Sequence, residues 1–360
     1  MARTIPVIDL SAYFNPDRTT ADLHALLEAV DAALCDLGFL CIKGHPVPAA
    51  LVEATQNEAI AFFDSPQMHK DGALARRYRS RGYTALGDIA LSHAMPAGDR
   101  TLPADLFERY RIGPFDRPDD DYHQSRIETV YPPNVWPAQQ PSFQPVMQAW
   151  YRAMSTLSRD LMRIFALVLG LPERWFDDKI DREMSSFCIN HYPALAEPPA
   201  PGQLRAGPHT DYGTLTIVAP TDAPGGLQVR LRHGEWEDVT VERGAFVVNI
   251  GDMMAQWTND RWVSTLHRVA NPPLEAAVPT RRLSLVYFHQ PNPDTQVECI
   301  PSCVGTGVRY EPVAAGHYIL EKIAAHFPAP GPAATSPARA DHAGIPAEVQ
   351  PGVSSSGQPA

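Results

Sequence analysis

Cysteine is scarce and unpatterned: the chain has five, an odd number, with no two pairs at zinc-site spacing. A disulfide framework is therefore not expected, and a reducing cytoplasm is. Cys299 and Cys303 lie close together, but no second pair follows, so they read as free thiols. No apolar run is long enough to cross a bilayer, and Met1 to Leu10 lacks the basic-then-apolar pattern of a leader, which predicts a soluble protein. Clusters of lysine and arginine are missing too. With a formal net charge of -11, the chain would repel a run of phosphates, so neither nucleic acid nor membrane is an expected partner. No internal repeat is evident.

What is present is an ordinary globular composition, 44% hydrophobic over 360 residues, which one large domain can accommodate. The segment TIPVIDL reads as a strand. From Thr20 to Leu37, Leu23, Leu26, Leu27, Val30 and Leu34 recur at helical spacing, and Gly38 ends that helix. Phe39 to Ile42 reads as a short buried strand and Pro48 to Phe63 as a second amphipathic helix. A longer helical pattern runs from Val146 to Val168 and stops at Gly170 and Pro172. From Ser185 onward the texture changes to short runs of Val, Ile, Thr, Phe and Tyr between turn residues, the mark of many short strands. Helices bracing antiparallel strands give an α+β class, with a double-sheet jelly roll as the expected core. The expected organisation is one domain over residues 1–327: a helix-rich region to about 180, a jelly-roll core to about 300 and a C-terminal helical segment. Residues 328–360, mostly Pro, Ala, Gly and Ser, predict a disordered tail.

Three pairs of residues, each two apart on β-like segments, carry the chemistry. In GPHTDYGTLTIV, His209 and Asp211 would point to one face of a strand, and STLHRV supplies His267 downstream. Two imidazoles and one carboxylate form the facial triad of oxygen-activating iron(II) sites, whose open positions admit a bidentate 2-oxo acid and dioxygen, whereas a structural zinc site is closed by four ligands. In RRLSLVYF, Arg282 and Ser284 suit the distal carboxylate of that acid, because a guanidinium fork pairs with a carboxylate through charge-assisted hydrogen bonds. In CINHYPA, Asn190 and Tyr192 can offer an amide and a phenol to the same cosubstrate.

At these residues the sequence resembles the isopenicillin N synthase-like family of iron(II)- and 2-oxoglutarate-dependent dioxygenases. The resemblance runs through TIPVIDL, GFLCIKGH, DLFERYRIG, NHYP, HTDYGTLT, GGLQV, FVVNIGDMMAQWTNDRWVSTLHRV and RRLSLVYF, from Thr4 to about Phe327. It implies a distorted double-stranded β-helix, a cupin-like jelly roll, with iron(II) on His209, Asp211 and His267. It further implies 2-oxoglutarate on Arg282 and Ser284 with Asn190 and Tyr192 beside it, dioxygen as co-reactant and ascorbate as an accessory reductant. The expected activity is oxidation of a small metabolite in specialised biosynthesis, by hydroxylation, desaturation or ring formation, with succinate and CO2 released. A monomer suffices for such a site. Three other readings stay open: a 2-oxoglutarate-independent oxidase of the same family, a non-catalytic ligand sensor, and a zinc hydrolase.

Other residues are weighed and held back. Tyr83, Phe107, Tyr110, Tyr287, Phe288 and His289 stand near segments that can line a cavity, but packing accounts for such residues. Arg79, Arg81 and Arg109 can bind a substrate carboxylate and otherwise read as exposed arginines. His45 reads as a turn residue, His191 and His233 lack the triad's partners, and Trp257 fits a core or a cavity wall equally.

Overall fold

The computed structural model describes residues 5–75, 81–95, 102–195, 197–221, 223, 226–273, 275 and 279–325. The expected tail at 328–360 and Arg79 lie outside them. The chain begins with β1 (Val7–Asp9), α1 (Ser11–Phe14), α2 (Thr20–Asp36), β2 (Phe39–Lys43), α3 (Ala49–Phe63) and α4 (Gln67–Gly72). It continues through β3 (Gly82–Thr84), β4 (Glu108–Ile112), α5 (Asp121–Gln124), α6 (Phe143–Val168), β5 (Ser186–Tyr192), β6 (Ala206–His209) and β7 (Leu215–Pro220). There follow β8 (Leu227–Arg230), β9 (Trp236–Asp238), β10 (Phe246–Ile250), α7 (Asp252–Trp257), β11 (His267–Val269) and β12 (Arg282–His289). A short hairpin, β13 (Gln296–Val297) with β14 (Val313–Ala314), leads into α8 (Ala315–Ala325).

The helices form where the apolar spacing places them. Thr19 caps α2 reciprocally with Asp22, and Leu26, Val30, Ala33 and Leu34 make its buried stripe. Gly38, at φ 70°, then turns the chain out of the helix, and its amide bonds back to the Ala33 carbonyl. A side chain at Gly38 would strike the Val263 carbonyl, so close approach as well as handedness demands glycine. The 26-residue α6 buries Met147, Trp150, Met154, Leu157, Leu161, Ile164 and Phe165. Among the described residues, no helix is long and apolar enough to cross a membrane.

Eight strands form the main sheet in the order β1-β2-β10-β7-β12-β5-β4-β3, and four form a smaller sheet, β6-β11-β8-β9. This is the jelly-roll arrangement, largely antiparallel, with helices packed against it. The first half contributes more strand than its sequence suggests: β3 and β4 extend the main sheet beyond β5. They are short, and the polar residues of β4 conceal it from periodicity.

Alternation along the main sheet divides its two faces. On β12, Leu283, Leu285 and Tyr287 join the apolar core with α2, α3 and α6, while Arg282, Ser284, Val286 and Phe288 line a cavity on the other side. On β5, Phe187 and Ile189 face the core, and Asn190 and Tyr192 the cavity. Both faces are covered, which is why β12 is buried at every position but Phe288.

Phe62 of α3 stands at the heart of the helical face, with its ring 4.9 Å from that of Tyr110 and 5.5 Å from that of Phe143. Phe62→Ala should lower the free energy of unfolding by about 3–5 kcal/mol, seen in denaturant titration as a lower midpoint with an unchanged slope.

Candidate active site

The centre of the cavity is a strand pairing. β6 and β11 run antiparallel with His209 opposite His267, and their rings meet at a centroid distance of 4.3 Å. Each imidazole is oriented by its own chain: Nδ1 of His209 faces the Gly207 carbonyl at 2.8 Å, and Nδ1 of His267 the Thr265 carbonyl at 3.0 Å. A carbonyl only accepts, so both Nδ1 atoms carry hydrogen and both Nε2 atoms are left for the cavity. Burial, reinforced by the adjacent His267, pushes His209 well below the ordinary imidazole range, which keeps it neutral and able to donate a lone pair.

Asp211 lies just past the end of β6, in the loop before β7. The expectation of a single strand carrying both His209 and Asp211 is therefore corrected: the pairing with β11 stops at His209, and the loop swings the carboxylate round to the same side. Its Oδ2 accepts a hydrogen bond from Nδ2 of Asn249 at 2.7 Å and stands 3.8 Å from Nε2 of His267. Burial disfavours its charge, but the two imidazoles and the Asn249 amide outweigh burial and hold the carboxyl below the usual range. One donor atom from each of His209, Asp211 and His267 falls within 4.8 Å of the other two, and among the described residues no other group of three is so placed. Three converging donors of this kind, two nitrogen and one oxygen, fit a divalent iron ion and leave coordination positions open.

The loop that carries Asp211 is fastened to α7 and α8. The Asp252 amide donates to the Asp211 carbonyl at 2.7 Å, and the Asp252 carboxylate accepts from Ser264 at 2.7 Å, Tyr318 at 2.9 Å and Thr210 at 3.3 Å. Gly251 allows this, since any side chain there would run into the Gly213 backbone.

The other predicted pairs come together as register partners. Arg282 is opposite Tyr192 and Ser284 is opposite Asn190 across β12 and β5, so all four share the cavity face. The Arg282 guanidinium reaches the Ala223 carbonyl at 3.2 Å. These residues and the triad line one cavity, its remaining wall largely aliphatic, from Leu91, Val218, Leu227, Val241, Val247, Val269 and Val286.

Sequence reasoning left several cavity and support residues unnamed or misjudged. Asn249 orients Asp211, Asp252 ties the loop, and Arg109, expected to be exposed, is 6% exposed and faces the cavity. Asp105 accepts the amides of Leu91 and Gly207, both at 2.8 Å, and burial pushes its carboxyl up to about 6. Of the residues held back, Phe288 lines the cavity, and Phe107 packs behind Tyr192. Tyr83, Tyr110, Tyr287 and His289 are buried with hydrogen bonds to Glu108, Val135, Glu183 and Thr214. Arg81 is buried against the Val130 carbonyl. His191 bonds Glu108, His233 is exposed beside Glu235, and His45 stacks on Phe246 in its turn. Trp257 belongs to the core beside Phe176, and all five cysteines are free.

The profile of the 2OG-Fe(II) oxygenase superfamily matches residues 184–291, and that of the N-terminal region of non-haem dioxygenases, named from morphine synthesis, matches residues 5–139. Validamycin A dioxygenase of Streptomyces hygroscopicus subsp. limoneus is 32% identical, over 89% of this chain and 86% of its own length. Homoarginine-6-hydroxylase of Oryza sativa subsp. japonica is 28% identical over 90% of this chain and 98% of its own. A Neurospora crassa enzyme solved with alpha-ketoglutarate and thymine superposes with a TM-score of 0.77 at 30% identity, covering 90% of this chain and 97% of that one. With this fold, this cavity and these relatives, the chain belongs to the 2OG-Fe(II) oxygenase superfamily and is a 2-oxoglutarate-dependent non-haem iron dioxygenase.

Proposed function

We propose that His209, Asp211 and His267 hold the iron, that Arg282 and Ser284 hold the distal carboxylate of 2-oxoglutarate, and that Asn190 and Tyr192 flank it. The chain then oxidises one C–H position of a small organic metabolite of specialised biosynthesis. The observation that carries this reading is the pairing of His209 with His267, which converges three donors within 4.8 Å in the same cavity as Arg282. Bound iron supplies the activation of dioxygen, coupled to decarboxylation of 2-oxoglutarate to succinate and CO2.

The chain's own residues do the placing. The carbonyls of Gly207 and Thr265 fix the faces of the two imidazoles, and the Asn249 amide fixes the carboxylate, so the donors do not have to reorganise when the ion binds. The guanidinium of Arg282 offers two parallel donors to a carboxylate, and its position on a strand of the main sheet fixes how deeply the cosubstrate lies. The aliphatic wall keeps water from the reacting positions, and its shape decides which carbon of the substrate is presented. A small diffusible molecule suits a concave, largely aliphatic site with a few converging polar groups, and one copy of the chain supplies every residue named.

Two measurements test this reading. His267→Ala should bind iron(II) at least ~10-fold more weakly in anaerobic titration and release no succinate above background, while the fold, followed by circular dichroism, persists; wild-type iron affinity in that variant would remove His267 from the site. Arg282→Ala should keep its iron but raise the apparent KM for 2-oxoglutarate by about 100-fold, on the scale expected when a carboxylate loses a buried guanidinium; an unchanged constant would take the cosubstrate elsewhere.

A further inference from the structure

The cavity holds a second buried guanidinium that the cosubstrate does not account for. Arg109 lies on β4, directly opposite Asn190, which is itself opposite Ser284, so the three side chains form one row across the sheet. Two strand spacings, roughly 10 Å, separate the backbone of Arg109 from that of Ser284. Nε of Arg109 donates to Oδ1 of Asn190 at 2.9 Å, and its guanidinium lies 4.9 Å from the centre of the Phe107 ring.

What Arg109 lacks is an anion. Among the described residues, no carboxylate lies within ion-pair distance of it. The carboxylate that acts on it from further off, Asp105, has one backbone amide on each of its oxygens, from Gly207 and Leu91. Its neighbours are differently placed: Arg81 is bonded to the Val130 carbonyl away from the cavity, and Arg111 points Nε at the Cys188 sulfur. Arginine stays protonated in a protein interior, so the charge persists although burial disfavours it. A buried cation is costly unless an anion faces it. The reaction's own components do not provide one: iron(II), the Asp211 carboxylate, doubly charged 2-oxoglutarate and the Arg282 guanidinium cancel in formal charge.

We infer that Arg109 is the specificity-determining residue for the primary substrate, and that this substrate is a small carboxylic acid whose carboxylate pairs with the Arg109 guanidinium. The inference rests on the reading of the site given above and deepens it. Asn190 holds Nε, which leaves the two terminal nitrogens of the fork to meet a carboxylate end-on. A substrate anchored on β4 enters from the side of the cavity remote from Arg282, and its carbon chain then extends along the aliphatic wall towards His209 and His267.

The test uses the full chain, anaerobic and loaded with iron(II) and 2-oxoglutarate, whose visible absorption band reports the chelate. Calorimetry then measures binding of L-homoarginine, L-proline and phenylacetate, of the matching amides, and of thymine as a neutral control. The acids should bind the wild type at least ~10-fold more tightly than their amides. In Arg109→Gln that preference should disappear, with acid affinity down about 100-fold, while the affinity for 2-oxoglutarate stays within about twofold. Arg109→Lys should recover part of the preference, and it carries the comparison where the neutral variant fails to fold. The inference is overturned if no acid outbinds its amide, if Arg109→Gln weakens 2-oxoglutarate as much as the acids, or if Arg109→Gln keeps the preference. A wild-type protein that binds iron but develops no chelate band overturns the underlying reading of the site instead, a failure seen before any acid is added.

Discussion

Two short strands, β6 and β11, meet with a histidine opposite a histidine, and the remainder of the site is arranged around that contact. The pairing matters because it converts a long separation in sequence into a fixed distance in space without any side-chain freedom. Strand spacing sets how far apart the imidazoles can be, and one backbone carbonyl on each strand sets which nitrogen each presents. Asp211 is held from outside the pair, by Asn249 on a strand of the other sheet. The two sheets of the jelly roll are therefore joined at the site by polar contacts as well as by packing.

The main sheet supports this arrangement by being two surfaces at once. One parity of residues is apolar and meets α2, α3 and α6, which gives the sheet rigidity; the other parity is free to carry Asn, Ser, Tyr and Arg, because it faces a cavity rather than a second apolar layer. The cost of burying those polar groups is the reason the cavity has chemical selectivity. A guanidinium that has given up water favours an anion strongly, and a hydroxyl or amide beside it fixes the anion's orientation.

Much of this was legible in the amino-acid sequence, and what was not has physical reasons. The stripes of α2, α3 and α6 follow from spacing alone, and the alternation of RRLSLVYF and CINHY puts Arg282, Ser284, Asn190 and Tyr192 on one side of their strands. The reading of His209 and Asp211 on one strand fails at Asp211, since period two describes a strand and a turn that happens to re-aim its side chain equally well. β4 escaped because ERYRI looks like surface: its Glu108 is buried with Lys70, Tyr83 and His191 as partners, and a sequence does not print its partners. Arg109 was taken as exposed for the same reason. Asn249 and Asp252 sit in a segment that the family resemblance covered, but their work is to orient other residues, which no motif of their own announces.

The fastening of Asp211 through Asp252 to Ser264 and Tyr318 has a consequence for how the molecule is made. Tyr318 belongs to α8, which leaves the ribosome long after the loop that it secures. While synthesis proceeds, His209 and Asp211 are already outside the tunnel with neither the opposing histidine nor the C-terminal helix to restrain them. The nascent chain therefore carries donors without a formed pocket, and the loop has its full set of hydrogen bonds only once the final helix has been made. The order of the chain thus places the closing of this pocket well after the making of its first two donors.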